Sequence, residues 1–295
     1  MKPPPFEYQV PHTLDETLDL LARHGSDAKI LAGGQSLIPS MNFRMLQPAI
    51  LVDVNQLPNL DTIRSNDDGG LTIGALTRQA KVERDGLVEQ YAPLLFEVVP
   101  NIAHPQIRNR GTIGGSLAHA DPASELPVYA LAREVRMRLL SVRGERWVPA
   151  GEFFQGMFMT ALDPDEMLVE IEIPALPARA GWSFQEVARR RGDYAMMGVA
   201  AYLELSSEGI CRDARLVYLN AGDGPVRARE AEQSLVGGKP DAALFASAAS
   251  KAAEDEIDPF GNVHATIEFQ RHLARVLTLR ALETAFARAR NGRDA

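Results

Sequence analysis

The sequence predicts a two-part α+β protein, and three observations predict it. At 295 residues the chain exceeds a typical single domain. Pro174-Ala175-Leu176-Pro177-Ala178-Arg179 sets two prolines around a small-residue linker, so the expected division is 1–176 and 177–295. Beyond it, strand-like stretches at Trp182 to Ala188, Met197 to Leu205 and Ala214 to Asn220 precede alanine-rich helical ones at Ala228 to Leu235, Asp241 to Glu254 and Thr266 to Arg290. Strands followed by helices predict a three-stranded antiparallel sheet with helices packed on one face.

In the first part, Phe6 to Val10 alternates apolar and polar residues as a half-buried strand does. Thr13 and Glu16 form a capping box. Leu14, Leu18 and Leu21 line one helical face, and Gly25 suits the stop. Lys29 to Ala32, Ile50 to Val54 and Leu71 to Ala75 read as strands, with a turn or short helix at Pro39 to Met45. Thr77 to Val99 has a helical pattern broken at Pro93, and Asn101 to Arg110 is irregular. Ala118 to Glu125 reads as a loop and Leu126 to Arg133 as a helix. Val135 to Val142 and Met167 to Ile173 read as strands.

Composition narrows the function. The chain is 45% hydrophobic and 24% charged, with no apolar tract of bilayer-spanning length. The start, MKPPPFEYQV, lacks the apolar core of a secretory signal. A formal charge of -8 argues against a general affinity for nucleic acid or anionic membrane. One cysteine, Cys211, allows neither an internal disulfide nor a cysteine-held cluster, and it points to a reducing cytoplasm. The six histidines show no metal-like spacing, and the dinucleotide, Walker, H-E-x-x-H and C-x-x-C patterns are missing.

Two glycine-rich stretches stand out. Ile30-Leu31-Ala32 stops in Gly33-Gly34-Gln35-Ser36, and Gly111-Thr112-Ile113-Gly114-Gly115-Ser116 repeats the pattern. Glycines free the backbone for positive φ and close approach, and successive N–H groups in such a turn can hold an anion. One such turn is ordinary. Two, each with a hydroxyl residue, suggest two sides of one extended phosphate-bearing ligand.

AGGQSLIPSMNFRM and QIRNRGTIGGSLAHADPASELP resemble the two flavin-binding motifs of the FAD-binding medium subunit of molybdenum hydroxylases, the xanthine dehydrogenase and carbon monoxide dehydrogenase family. PPPFEY and RRRGDYAMMGVA resemble the same family. The resemblance implies a flavin domain of the p-cresol methylhydroxylase type followed by a smaller α+β domain. It implies that Ala32, Gly33, Gly34, Gln35 and Ser36 form one loop around the FAD pyrophosphate, and Thr112, Ile113, Gly114, Gly115 and Ser116 the other. A side chain at Gly33 or Gly114 would then enter the pyrophosphate or forbid the needed φ. Glu125 matches an acidic position at the adenosine end; read alone, it is equally a helix-start acid favoured by the dipole. Leu168 matches an apolar position near the adenine, and read alone is a core strand residue. Asp193 and Tyr194 lie where the second domain reaches the isoalloxazine, which makes Tyr194 a gate over the flavin; read alone, it is a strand-edge aromatic. Arg108 could pair with a phosphate, whereas Arg189 and Arg190 read as solvated surface and Cys211 as a small buried hydrophobe.

The implied function is an oxidoreductase subunit carrying noncovalent FAD for electron transfer. Its partners would be a small subunit with two [2Fe–2S] clusters and a large molybdenum subunit, in a dimer of heterotrimers. No residue is assigned to catalysis or metal binding. The alternatives are a self-contained flavin oxidase or dehydrogenase, with His104 or His119 beside the flavin, and a flavin-free scaffold.

Overall fold

Thr13 opens the first helix with a closed capping box: its Oγ1 accepts from the Glu16 N–H at 3.2 Å, and the Glu16 carboxylate accepts from the Thr13 N–H at 3.3 Å. The structure, a computed structural model, describes residues 2–292. Strand β1 (Glu7–Gln9) leads into α1 (Leu14–His24), β2 (Ala28–Leu31), α2 (Leu37–Asn42) and β3 (Ile50–Asp53). These strands make a parallel sheet in the order β1-β3-β2. Leu18 and Leu21 bury the inner face of α1 on it. The expected half-burial of the first strand is corrected: all three β1 residues are exposed, because β1 is an edge strand paired only with β3.

Next come β4 (Ile63–Ser65), β5 (Leu71–Gly74), α3 (Gln79–Val82), α4 (Gly86–Tyr91) and α5 (Pro93–Val98). The helical pattern over Thr77 to Val99, expected to break at Pro93, breaks a second time and forms three helices. Asp85 accepts from the Leu87 and Val88 N–H groups and starts α4 afresh, and Pro93 starts α5. Then follow α6 (Pro105–Arg108), α7 (Ile113–His119), α8 (Glu125–Ala132), β6 (Arg136–Ser141), β7 (Gly144–Pro149), α9 (Ala150–Phe153), β8 (Phe154–Gly156), β9 (Met159–Thr160) and β10 (Met167–Ile173). The second sheet is antiparallel in the order β4-β5-β10-β6-β7.

Past the Pro174 to Arg179 link, β11 (Ala180–Ala188), β12 (Ala195–Leu205) and β13 (Cys211–Leu219) are the three expected antiparallel strands, and a two-residue β14 (Val226–Arg227) adds a fourth at the edge. Helices α10 (Arg229–Leu235), α11 (Ala242–Lys251) and α12 (Ile267–Asn291) pack on one face through Met197, Val199, Leu216 and Leu277. The opposite face presents Phe184, Ala200, Val217 and Leu219 to the core of the first part, where they meet α5 and α8. One apolar core thus runs across the junction. Each large apolar side chain buried there contributes about 1.5–3 kcal/mol. Glu97 on α5 tightens it: its carboxylate accepts from the Phe184 N–H at 2.8 Å and pairs with Arg288 of α12 at 2.7 Å.

Candidate functional site

The first glycine stretch joins β2 to α2. Gly34 sits at φ +71°, a conformation open to glycine. The N–H groups of Gly34, Gln35 and Ser36 find no acceptor among the described residues. The Gln35 amide donates to the Gly33 carbonyl at 2.9 Å and closes the loop. Gly33 is the point of contact with the second stretch: a Cβ there would lie 2.5 Å from the Arg110 carbonyl oxygen and 2.8 Å from Gly111 Cα. The expected reason for this glycine is corrected, since a side chain would strike the other loop's backbone. Beside it lies a cavity of about 360 Å³, lined among others by Gly33, Gly34, Gln35, Asp53, Asn55 and Arg110.

A polar network fixes the floor of this cavity. The Asn55 amide donates to the carbonyls of Leu31 and Ala32 at 3.2 and 2.9 Å, pinning the strand that leads into the loop. Asn55 Oδ1 accepts from Arg78, which also donates to the Arg110 carbonyl. Tyr8 donates to Asp53. Partial burial alone would raise the Asp53 carboxyl, but hydrogen bonds from Tyr8 and Asn55 and the charge of Arg110 hold it below the usual range. Arg110 therefore brings a cation to a cavity whose rim carries unpaired N–H groups.

The second stretch is a helix start and less open than the first. Thr112 caps α7, its Oγ1 accepting from the Gly115 N–H at 3.1 Å. The Ile113 and Gly114 N–H groups donate to the carbonyls of Thr77 and Ala75 at 3.0 and 2.8 Å. So the amides of Ile113, Gly114 and Gly115 already have partners within the chain. A Cβ at Gly114 would lie 2.5 Å from that of Ala75, so here too the absent side chain serves packing between segments. Gly115 is exposed, and the Ser116 hydroxyl lies 3.0 Å from that of Ser124.

Past α7 the chain turns at Ala120, in the left-handed region at φ 50°, and reaches Glu125, the first residue of α8 and 8% exposed. Asn220 at the end of β13 holds this turn, its N–H donating to the Pro122 carbonyl at 2.8 Å. Burial pushes the Glu125 carboxyl up to about 7, and Asp121 adds to the shift. Glu186, on β11 opposite, is pushed up to about 8 by burial and by Glu125. Tyr194 is 73% exposed. Its hydroxyl is raised above the ordinary phenol value, first by desolvation and then by Asp121 and Glu125. These groups therefore share one junction between the two parts of the chain.

The remaining candidates separate. Asp193 pairs with Arg189 at 3.4 Å. Leu168 is buried in the shared core; the next residue, Val169, accepts from the Ala75 N–H on which the second stretch rests. Arg108 makes a bidentate pair with Glu83, both contacts at 2.8 Å, which engages the guanidinium that had been a phosphate candidate. Cys211 is buried, and burial pushes its thiol up to about 11. His119 packs on Phe158 with ring centroids 5.0 Å apart. Burial lowers its imidazole below the ordinary value, against the pull of Asp121. Among the described residues no three His, Cys, Asp or Glu side chains are grouped to hold a metal. Arg110, Asn55 and Glu186 escaped the sequence reading; the one local signal was Arg110 directly before the second glycine stretch.

The arrangement fits a dinucleotide. The unpaired amides of the first loop and the Arg110 cation suit a diphosphate. The comparisons with known proteins agree. Residues 4–176 match the FAD binding domain in molybdopterin dehydrogenase, and residues 182–285 match the CO dehydrogenase flavoprotein C-terminal domain. Among curated proteins, the 6-hydroxypseudooxynicotine dehydrogenase complex subunit alpha of Paenarthrobacter nicotinovorans is 44% identical, with 98% of this chain and 97% of that one covered. Among solved structures, carbon monoxide dehydrogenase from Hydrogenophaga pseudoflava superposes with a TM-score of 0.93 at 38% identity, covering 97% of this chain and 99% of that one. Quinoline 2-oxidoreductase from Pseudomonas putida 86 gives 0.91 at 37% identity, with coverage of 97% and 99%.

Proposed function

Since this chain belongs to the FAD-binding medium subunits of the molybdopterin dehydrogenases, we propose that it carries FAD across the junction between its two parts, with the diphosphate at Gly33 to Ser36 and Arg110 and the ring toward Tyr194. The division at residues 176 and 177 belongs to this reading. Its partners are a small [2Fe–2S] subunit and a large molybdenum subunit, in a dimer of heterotrimers. When bound, FAD supplies the electron exchange between iron–sulfur clusters and an external acceptor. The chain's own work is binding and orientation. The first loop presents N–H donors, Arg110 offsets phosphate charge, Gly33 lets the two stretches meet, and Thr112, Gly114 and Ala75 seat the second stretch beside the end of β5. Phe43 and Met45, 71% and 77% exposed after α2, suit contact with a partner subunit. No helix among the described residues is long and apolar enough to cross a membrane. A cytoplasmic site is part of the proposal, supported by a single, free and buried cysteine.

The observation that carries the reading is the row of unpaired amides beside Arg110. The test is expression with both partner chains. We expect one acid-releasable FAD per medium subunit in a three-subunit complex, and no hydroxylase turnover by the medium subunit alone. A metal-free medium subunit that hydroxylates substrate unaided would overturn the electron-transfer assignment.

Part of this reading is that Tyr194, 73% exposed on the β11–β12 connection, covers the approach to the flavin. Tyr194→Ala should leave FAD content near the parent value, because the diphosphate contacts lie elsewhere. Reoxidation of the reduced complex by dioxygen should become about threefold faster or more, as a barrier of about 0.7 kcal/mol is removed. Stopped-flow reoxidation at the parent rate, with FAD retained, would reduce Tyr194 to ordinary surface.

A further inference from the structure

Arg78 stands between the two glycine stretches, one residue before α3. Its backbone faces Thr112 in an isolated antiparallel bridge. Around that bridge the Gln79 N–H donates to the Gly111 carbonyl at 2.9 Å, and the Ile113 N–H to the Thr77 carbonyl at 3.0 Å. The second stretch is thus seated on the segment that carries Arg78. The Arg78 side chain reaches the other stretch. One end of its guanidinium donates to Asn55 Oδ1 at 2.5 Å, and the other donates to the Arg110 carbonyl. Asn55 in turn holds the Leu31 and Ala32 carbonyls through its amide. One chain of hydrogen bonds therefore runs from the strand entering the first stretch, through Asn55 and Arg78, to the residue directly before the second.

The carbonyl that Arg78 grips is the one where the two stretches touch, 2.5 Å from where a Cβ on Gly33 would lie. Fixing that peptide fixes the base of the Arg110 side chain. The Arg110 guanidinium itself makes no hydrogen bond or ion pair among the described residues, so it is available to a ligand in the cavity it lines. Charge points the same way. Arg78 is half-buried and has no ion-paired carboxylate among the described residues. Burial and the Arg110 charge both press its guanidinium toward the neutral form, against the pull of Asp53 and Asp61. Asp53 is already engaged by Tyr8 and Asn55. An anion entering the cavity offsets the repulsion between the two guanidiniums.

We propose that Arg78 is the positioning residue of the FAD diphosphate site: it clamps the two glycine stretches together and, through the Arg110 carbonyl, sets the Arg110 guanidinium against the phosphates. The inference rests on the FAD reading above and adds a residue, outside both stretches, that makes them one site. Arg78 acts through Asn55 and Arg110 and does not touch the cofactor. The position calls for arginine because a planar fork reaches two acceptors on different segments at once, which a single ammonium group does not do with fixed geometry.

The experiment uses the assembled three-subunit complex carrying Arg78→Gln, Arg110→Gln or both, with the FAD dissociation constant read from flavin fluorescence. Each single substitution should raise that constant about tenfold or more, the loss of one charge-assisted bond to phosphate. The double variant should bind about as weakly as either single one, because Arg78 works through Arg110; independent effects would multiply to about a hundredfold. Competition locates the loss. The inhibition constant of ADP should rise in Arg78→Gln by about the same factor as that of FAD, whereas adenosine, which has no phosphate, should compete equally with parent and variant. Arg78→Lys keeps the charge and loses the fork; it should resemble Arg78→Gln, and it carries the test if that variant fails to assemble. Multiplying effects in the double variant, an ADP constant unchanged by Arg78→Gln, or parent FAD affinity in either Arg78 variant overturns the clamp and leaves the FAD site intact. A correctly assembled parent complex that holds no flavin overturns the site itself, and the clamp with it.

Discussion

Gly33→Val is expected to leave the complex with less than about one-tenth of its FAD. Any side chain at this position starts 2.5 Å from the Arg110 carbonyl and 2.8 Å from Gly111 Cα, and both atoms are backbone. Nothing there can swing aside, so the β2–α2 loop must retreat from the α6–α7 turn. The strain is about 1–3 kcal/mol by analogy with overpacked cores. The larger effect falls on the ligand. Retreat carries the free amides of Gly34, Gln35 and Ser36 away from the cavity beside Arg110. Each hydrogen bond to a charged phosphate oxygen contributes about 1.5–3 kcal/mol, so losing two weakens binding by roughly two to four orders of magnitude. Released flavin per chain, measured by absorbance after acid treatment, checks this. A complex of Gly33→Val with near-stoichiometric FAD would show that the contact between the two loops does not hold the cofactor site together.

Gly181→Ala should have the largest effect on stability. Its Cβ would fall 1.8 Å from the Ala285 carbonyl oxygen and 2.6 Å from the Ala289 nitrogen, both in the backbone of α12. The helix lies directly on β11 at this glycine, and a single methyl must lift it. Lifting α12 also draws Arg288 from Glu97 and from the Trp182 carbonyl, loosening the clamp between the two parts. A loss of about 3 kcal/mol or more is expected, seen as a fall of about 10 °C in thermal midpoint. A melting temperature within about 2 °C of the parent would mean that the helix does not rest on this strand.

How much was legible in the sequence follows the range of the interactions. The Thr13–Glu16 box and the run of C-terminal strands and helices are local patterns, and they appear where expected. The two glycine stretches were found, but the reason for their glycines was not. Gly33 and Gly114 answer to Arg110 and Ala75, neighbours that only folding brings close. The same applies to Asn55, whose amide braces the Leu31 and Ala32 carbonyls from another strand. Glu186 was hidden for a further reason: alternation in β11 shows that it is on a face, but not that the face meets Glu125. Short elements such as β4, β8 and β9 carry too few residues to show a period, and they were missed. The break at Asp85 was missed because a side-chain cap within a helical pattern looks like any other acidic surface residue.

The core that runs through the junction has a consequence for how the protein is made. Synthesis delivers the N-terminal half first, and domains commonly fold in that order as they leave the ribosome. Here the first 176 residues emerge without Phe184, Ala200, Val217 and Leu219, which close their core from the other side. Glu97 likewise waits for Phe184 and Arg288, which lie 87 and 191 residues further along the chain. The junction between the two parts is therefore completed only after the chain has been made as far as Arg288, so the first part cannot close its core on its own schedule.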